Sequence, residues 1–359
     1  MEPEPAPPFL AACRAQPHDR VPVWFMRQAG RSLPEYREVR GPGSILDAIA
    51  QPDLAAEITL QPVRRYGVDA AILYSDIVVP VAAIGFGVDV APGTGPVVER
   101  PFESRADLDR LRPLEPAVDT PYVLETVRIL AGELPCPLIG FAGAPFTVAS
   151  YLIEGRPSRT YARTKALLGE DPVLFGELLD RLAHLAADSI CSQLDAGARA
   201  FQVFDSWAGA LDPHLYATHV LPHSRTVFER VSDHGSGAPG IHFGVSTGEL
   251  LALMASAGTD VVGVDWRTPL SEARRRVGPG FALQGNLDPA LCLGPWGSVA
   301  AAVRRVLDDN AGHPGHVFNL GHGVLPETDP GILEQVVELV HAEGRVAGGD
   351  GTVRGGETP

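Results

Sequence analysis

The chain has 359 residues, 45% of them hydrophobic and 20% charged, with a formal net charge of −15. That composition suits a folded protein with a sizeable core, contains no run of about 18 apolar residues fit to span a bilayer, and makes nucleic acid an unsuitable partner because the field of the molecule repels polyanions. Cys13, Cys136, Cys191 and Cys292 are scattered without short pair spacings, which argues against a zinc knuckle, a redox CxxC or a disulfide framework and leaves four isolated buried thiols as the expectation.

Taken in order, the chain opens on an acidic, Pro-rich lead (1–8) that is the opposite of a signal peptide and reads as a disordered entry to a cytoplasmic enzyme. Val23–Met26 is the first strand candidate. Residues 44–66 carry apolar side chains near a 3.6 period with Pro52 dividing two helices. Ala70–Asp76 is a continuous apolar run ending in a carboxylate, and 80–118 reads as an excursion with a small hairpin around Phe86–Val98. Thr120–Leu134 reads as a helix with Pro121 at its first position.

Beyond this point the pattern is regular. Strands are expected at Leu138–Gly143, Ala200–Ser206, Ile241–Val245, Val261–Asp265, Phe281–Asn286 and His316–Gly321. Helices are expected at Asp171–Asp195, Pro213–Val231, Thr247–Ala257, Leu270–Arg276, Val299–Asn310 and Pro330–Glu343. Short apolar strands alternating with helices predict a parallel sheet buried on both faces, and with the first two strands the count reaches that of a single α/β barrel of the (β/α)8 TIM type over residues 9–345. A doubly wound open sheet is the alternative fold, but no GxGxxG or P-loop opens a helix. The Gly-rich tail, 346–359, is expected to be disordered.

In such a barrel the site forms at the C-terminal ends of the strands. Arg27 and Arg31 follow the first strand with Gly30 between them, and two guanidinium forks on a tight loop read as a clamp for carboxylate or phosphate. The bland alternative pairs them with Glu35 and Glu38 on a solvated face. Ser75 and Asp76 end the second strand, Tyr151 follows the third, Asp205-Ser206-Trp207 ends the fourth, Gly285–Pro289 the seventh and Gly321-His322-Gly323 the eighth. Their common position favours the clamp. Lys165, the only lysine, sits in a helical run and reads as a surface residue rather than a Schiff-base nucleophile. His242 reads as a satisfied barrel residue, and Trp266 as packing or substrate contact in equal measure.

Pro22-x-Trp24-x-Met26-Arg27-Gln28-Ala29-Gly30-Arg31 and Gly140-Phe-Ala-Gly-Ala-Pro-Phe-Thr-Val-Ala-Ser-Tyr151-Leu-Ile-Glu-Gly155 resemble the two signatures of the uroporphyrinogen decarboxylase family. Phe204-Asp-Ser206-Trp-Ala-Gly, Gly285–Pro289 and Asn319–Gly323 are similar to its later blocks, while Ser32 departs from a position more often aromatic. The resemblance implies decarboxylation of the four acetates of uroporphyrinogen to give coproporphyrinogen in haem biosynthesis, with no cofactor, no metal and a homodimer whose clefts face each other. It assigns substrate binding to Arg27, Gln28, Ala29, Gly30, Arg31, Asp76, Phe141, Tyr151, Ser206 and His322, and catalysis to Asp76, Arg27 and Arg31. The chemistry agrees: a protonated pyrrole is its own electron sink, so no added cofactor is required, and Asp76 is placed to oppose the developing cation. A zinc-dependent methyltransferase of the same barrel superfamily is the rival reading, but His242-Phe243-Gly244 lacks the cysteine its zinc site requires. A non-catalytic tetrapyrrole-binding protein is the second rival.

Overall fold

The computed structural model describes residues 6–30, 32–91 and 94–346. Its strands are β1 (Ala71–Ile72), β2 (Val88–Ala91), β3 (Gly95–Val98), β4 (Leu138–Gly143), β5 (Ala200–Asp205), β6 (Gly240–Gly244), β7 (Val261–Gly263), β8 (Ala282–Gln284) and β9 (His316–Val317). Apart from the antiparallel β2–β3 hairpin, they form one parallel sheet in the order β1-β4-β5-β6-β7-β8-β9. Each step is filled by helices, and the register runs Ala71↔Leu138, Phe141↔Gln202, Phe204↔Phe243, Val262↔Leu283 and Gln284↔Val317.

The first expected strand is reduced to one parallel bridge, Val23↔Phe318. Backbone bonds on both sides nevertheless close the sheet into a barrel: Phe318 N donates to Pro22 O (2.8 Å) and Asp69 N to Val23 O (2.8 Å). Asp69 explains the brevity of this strand, because side chains replace ladder bonds there. Its carboxylate accepts from Val23 N (2.8 Å) and Arg20 Nη2 (2.8 Å) and contacts His341 Nε2 (2.7 Å), tying the first strand to the last helix. The run Ala70–Asp76 also pairs for only two residues. Above Ile139 the two strands part, and Gln193 takes both backbone groups of Phe141, accepting from its N–H (2.8 Å) and donating to its carbonyl (3.0 Å).

Proline occupies the first turn of the helices Pro34–Arg40, Pro52–Tyr66, Pro121–Glu133, Pro145–Glu154, Pro172–Ala196 and Pro330–Glu343, where the missing N–H has no partner to lose. The break expected at Pro52 is present, since Ile45–Ile49 is a separate short helix. The helix expected over Pro213–Val231 is instead three pieces: Pro213–Leu215, a π turn at Tyr216–Val220, and Leu221–Asp233. Pro222 cannot donate in the ladder, and the widened turn absorbs that defect.

The barrel interior holds a buried polar chain, with Trp24 Nε1 donating to Gln284 Oε1 (3.0 Å) and Gln284 Nε2 to Gln202 Oε1 (2.8 Å). Cys13 and Cys292 are buried as expected, whereas Cys136 and Cys191 are half-buried; all four are free thiols. Burial pushes the Cys136 and Cys292 thiols up to about 12, so these two are poor nucleophiles at neutral pH. Lys165 is exposed. The expected N-terminal lead and C-terminal tail fall mostly outside the described residues, although Pro8 already begins the helix Pro8–Cys13 and Val346 is buried.

Candidate active site

Of the sequence-predicted residues, Arg27, Asp76, Tyr151, Ser206 and His322 follow strands at the C-terminal end of the barrel. Arg27 follows Met26 with φ of +62°, a left-handed turn that ends the first strand and presents an exposed guanidinium. Gly323 leaves room for it: a Cβ there would lie 2.5 Å from Arg27 Cδ and 2.8 Å from Cγ. Asp76 sits in an Asx turn, its Oδ1 accepting from Val78 N at 3.1 Å. Burial raises the pKa of the Tyr151 phenol, Asp76 raises it further and Arg27 lowers it. The Tyr151 phenol therefore lies within the electrostatic reach of both Asp76 and Arg27. Tyr151 keeps its proton throughout the physiological range and is available there as a donor.

Beneath them runs a chain of edge-to-face rings. Phe141 on β4 meets Phe204 on β5 (5.3 Å, 81°), Phe204 meets Phe243 on β6 (6.2 Å, 77°), and Phe243 meets His322 (6.3 Å, 81°). Gly323 N donates to His322 Nδ1 at 2.5 Å, which places the ring proton of neutral His322 on Nε2. Tyr151, on the helix Pro145–Glu154, lies on Trp207 at 3.8 Å and 33°, and Tyr161 meets Trp207 at 5.1 Å and 59°. Ser206 lies between Asp205 and Trp207 in the turn after β5 and is half-buried.

Not every expected residue turns its side chain to the cleft. The Gln28 carboxamide is buried in the barrel seam, accepting from Phe25 N (3.0 Å) and donating to Ala70 O (3.1 Å), and its backbone N–H donates to Phe25 O (3.0 Å), so its side chain is turned away from a ligand. Ala29 is half-buried, and Gly30 turns at φ +109° against the Tyr36 ring. Arg31 lies outside the described residues. Asn286 donates to Asp265 O (3.0 Å) and Thr268 O (2.6 Å), a brace between loops rather than a cleft group. Trp266 carries the Arg267 guanidinium on its face at 3.9 Å, which supports the packing reading.

His242 faces the helix layer, with Nδ1 3.3 Å from Met254 O, and is thus only half satisfied, since Nε2 has no hydrogen bond among the described residues. That orientation, with glycine at 244, also removes it from the zinc-ligand role in the rival reading. Sequence reasoning singled out Phe141 and placed Trp207 at the end of the fourth strand without a role, but gave none to Phe204, Phe243 or Tyr161. Phe204 and Phe243 carried a signal, because Phe204 lies two residues from Gln202 and Phe243 two from Ile241, on one face of their strands.

A closed parallel α/β barrel with polar side chains after its strands and a chain of aromatic rings across β4, β5 and β6 is the architecture of a barrel enzyme. Comparison narrows the class. The model of the family described as uroporphyrinogen decarboxylase (URO-D) matches residues 4–343. The chain is 60% identical over 335 residues to a uroporphyrinogen decarboxylase of Salinispora tropica, covering 93% of this chain and 90% of that one. It is also 60% identical to one of Streptomyces coelicolor over 336 residues, covering 93% and 94%. Among solved structures, a methyltransferase from Methanosarcina mazei superposes with a TM-score of 0.75 at 21% identity, covering 93% of this chain and 97% of that one, a likeness of fold alone. The chain belongs to the uroporphyrinogen decarboxylase family.

Proposed function

We infer that this protein is a uroporphyrinogen decarboxylase, a carboxy-lyase that converts the acetate side chains of uroporphyrinogen to methyls and so yields coproporphyrinogen for haem biosynthesis. The family match across nearly the whole chain carries this reading. The placement of Arg27 after the first strand, Asp76 after β1 and Tyr151 after β4, with Tyr151 feeling the charges of both others, supports the chemistry.

Each decarboxylation takes up one proton and releases one CO2 for every acetate turned into methyl. Protonation of the ring carbon beside the acetate-bearing one creates an iminium. The bond from CH2 to the carboxylate then breaks, and its electron pair flows into the ring as CO2 departs. A second proton reaches the exocyclic carbon to complete the methyl, and the ring carbon returns the first.

In this scheme Asp76 accepts from the pyrrole N–H groups and opposes the iminium charge. Arg27 and Arg31 hold peripheral carboxylates, each charge-assisted bond being worth about 1.5–3 kcal/mol. Tyr151, Ser206 and His322 Nε2 donate to further carboxylates, the turn at Ala29 and Gly30, held by the inward Gln28, lines the clamp, and Phe141 supports the macrocycle from below. No residue of this set has to form a covalent bond to substrate.

A homodimer with facing clefts and a cytoplasmic location complete the reading. Among the described residues no helix is long and apolar enough to cross a membrane. Sedimentation equilibrium should return about twice the 38.1 kDa chain mass; a monomer at micromolar concentration contradicts the dimer. Incubation of purified protein with reduced uroporphyrinogen under anaerobic conditions should release CO2 in step with substrate loss, and substrate consumed without CO2 would refute decarboxylation.

A further inference from the structure

Behind the cleft, on the outward side of β5, lies a buried polar cluster that the steps above do not use. Asp205, the last residue of β5, is fully buried, and so is Thr147 in the first turn of the helix Pro145–Glu154. The Thr147 hydroxyl donates to Asp205 Oδ1 at 2.9 Å and accepts from Trp207 N–H at 3.2 Å. One helical turn beyond Thr147 is Tyr151, whose ring lies on Trp207 at 3.8 Å. The links therefore close a loop: Asp205 to Thr147, along the helix to Tyr151, across the stack to Trp207, and back through Ser206. The second Asp205 oxygen faces the helix layer, 3.7 Å from Nε2 of the fully buried His242. The carboxylate thus touches the parts that carry Tyr151 and Ser206 and is itself shut off from the cleft.

We propose that Thr147 and Asp205 are positioning residues of the decarboxylation site, the carboxylate acting through the Thr147 hydroxyl to set the Tyr151–Trp207 stack and the Ser206 turn against the substrate. The inference rests on Tyr151 and Ser206 being substrate-facing, as in the reading above. It follows from geometry: one hydroxyl is the hydrogen-bonded junction between helix and turn, and small displacements of groups that orient substrate reduce rate steeply. A core threonine that serves only packing would tolerate valine, which has the same shape.

The test measures kcat and KM for uroporphyrinogen in Thr147→Val and Thr147→Ser, each in the wild-type and Trp207→Leu backgrounds, with Tyr151→Phe and Ser206→Ala tested alongside. Thr147→Val should lower kcat at least tenfold, about 1.4 kcal/mol of transition-state stabilisation, with KM within about threefold. Thr147→Ser should restore kcat to within about threefold of wild type. In the Trp207→Leu background the valine should cost less than in wild type, because the stack is gone and only the Ser206 turn, held through the backbone N–H at 207, is left to disturb. Thr147→Ala is read in the same way, so a folding failure of one variant leaves the other to decide. The proposal is overturned if Thr147→Val retains kcat within twofold while Tyr151→Phe is impaired, or if the valine loses the same factor in both backgrounds. Full activity of both Tyr151→Phe and Ser206→Ala would instead remove the premise that these side chains meet substrate, and the proposal with it.

Discussion

Gly323→Ala tests the clamp through a residue with no functional group of its own. Gly323 is not among the residues with positive φ, so alanine faces no backbone strain there. The added Cβ would lie 2.5, 2.8 and 3.2 Å from Arg27 Cδ, Cγ and Cβ. Rotating Arg27 about χ1 relieves the first two contacts but leaves the third, so the guanidinium has to leave its place rather than adjust at its tip. Loss of one charge-assisted hydrogen bond is worth about 1.5–3 kcal/mol, or about ten- to 150-fold in kcat/KM. Arg27 is exposed, which sets the expectation at the lower end, near tenfold. The assay is the rate of product formation from uroporphyrinogen by chromatography, beside thermal unfolding of the same preparation. The unfolding temperature should stay at its wild-type value, and Gly323→Ala added to Arg27→Ala should cost nothing further. A Gly323→Ala enzyme with wild-type kcat/KM, or a double variant showing the full product of two independent losses, refutes the reasoning.

Asp76→Asn keeps an acceptor for pyrrole N–H but removes the charge, so turnover should fall at least tenfold while product titration shows near wild-type affinity; equal losses in turnover and stability would make Asp76 structural. Apparent affinity for uroporphyrinogen should fall between 0.1 and 1 M salt, as the Debye length drops from about 10 to about 3 Å; a flat response contradicts ion pairing at the clamp. His316 is fully buried, and desolvation holds it at about 4 against an ordinary 6.5, opposed by its bond to Gly285 O. The unfolded chain takes up that proton first, so the contribution is complete above pH 6.5 and is lost as pH falls towards 4. It amounts to about 3 kcal/mol. Urea midpoints should fall over that window in wild type and fall less in His316→Gln; equal slopes would assign the acid sensitivity elsewhere.

Much of the barrel was legible because its strands are short apolar runs between Pro-started helices, a pattern that local chemistry dictates. What was not legible depends on contacts distant in sequence. Nothing in Val23–Met26 or Ala70–Asp76 says that their ladders stop after a bridge or two, since Asp69 and Gln193 replace the missing bonds from elsewhere. The same holds at the site. Asp76, Tyr151 and His322 could be read from their places after strands, but Gln28 looks like a clamp residue by sequence and is turned inward by Phe25 N and Ala70 O. Trp207 looks like an ordinary aromatic, and only the fold brings Tyr151 and Tyr161 onto it.

The most direct test of the central claim is a count of carboxyl groups. Purified protein, treated with chelator and dialysed, is incubated anaerobically with uroporphyrinogen, and the products are oxidised and separated by chromatography. The account predicts an ordered decline from eight carboxyls through seven, six and five to four, with the four acetates lost and the four propionates kept. Unchanged eight-carboxyl substrate, or activity that returns only when a metal or an organic cofactor is added back, would contradict it.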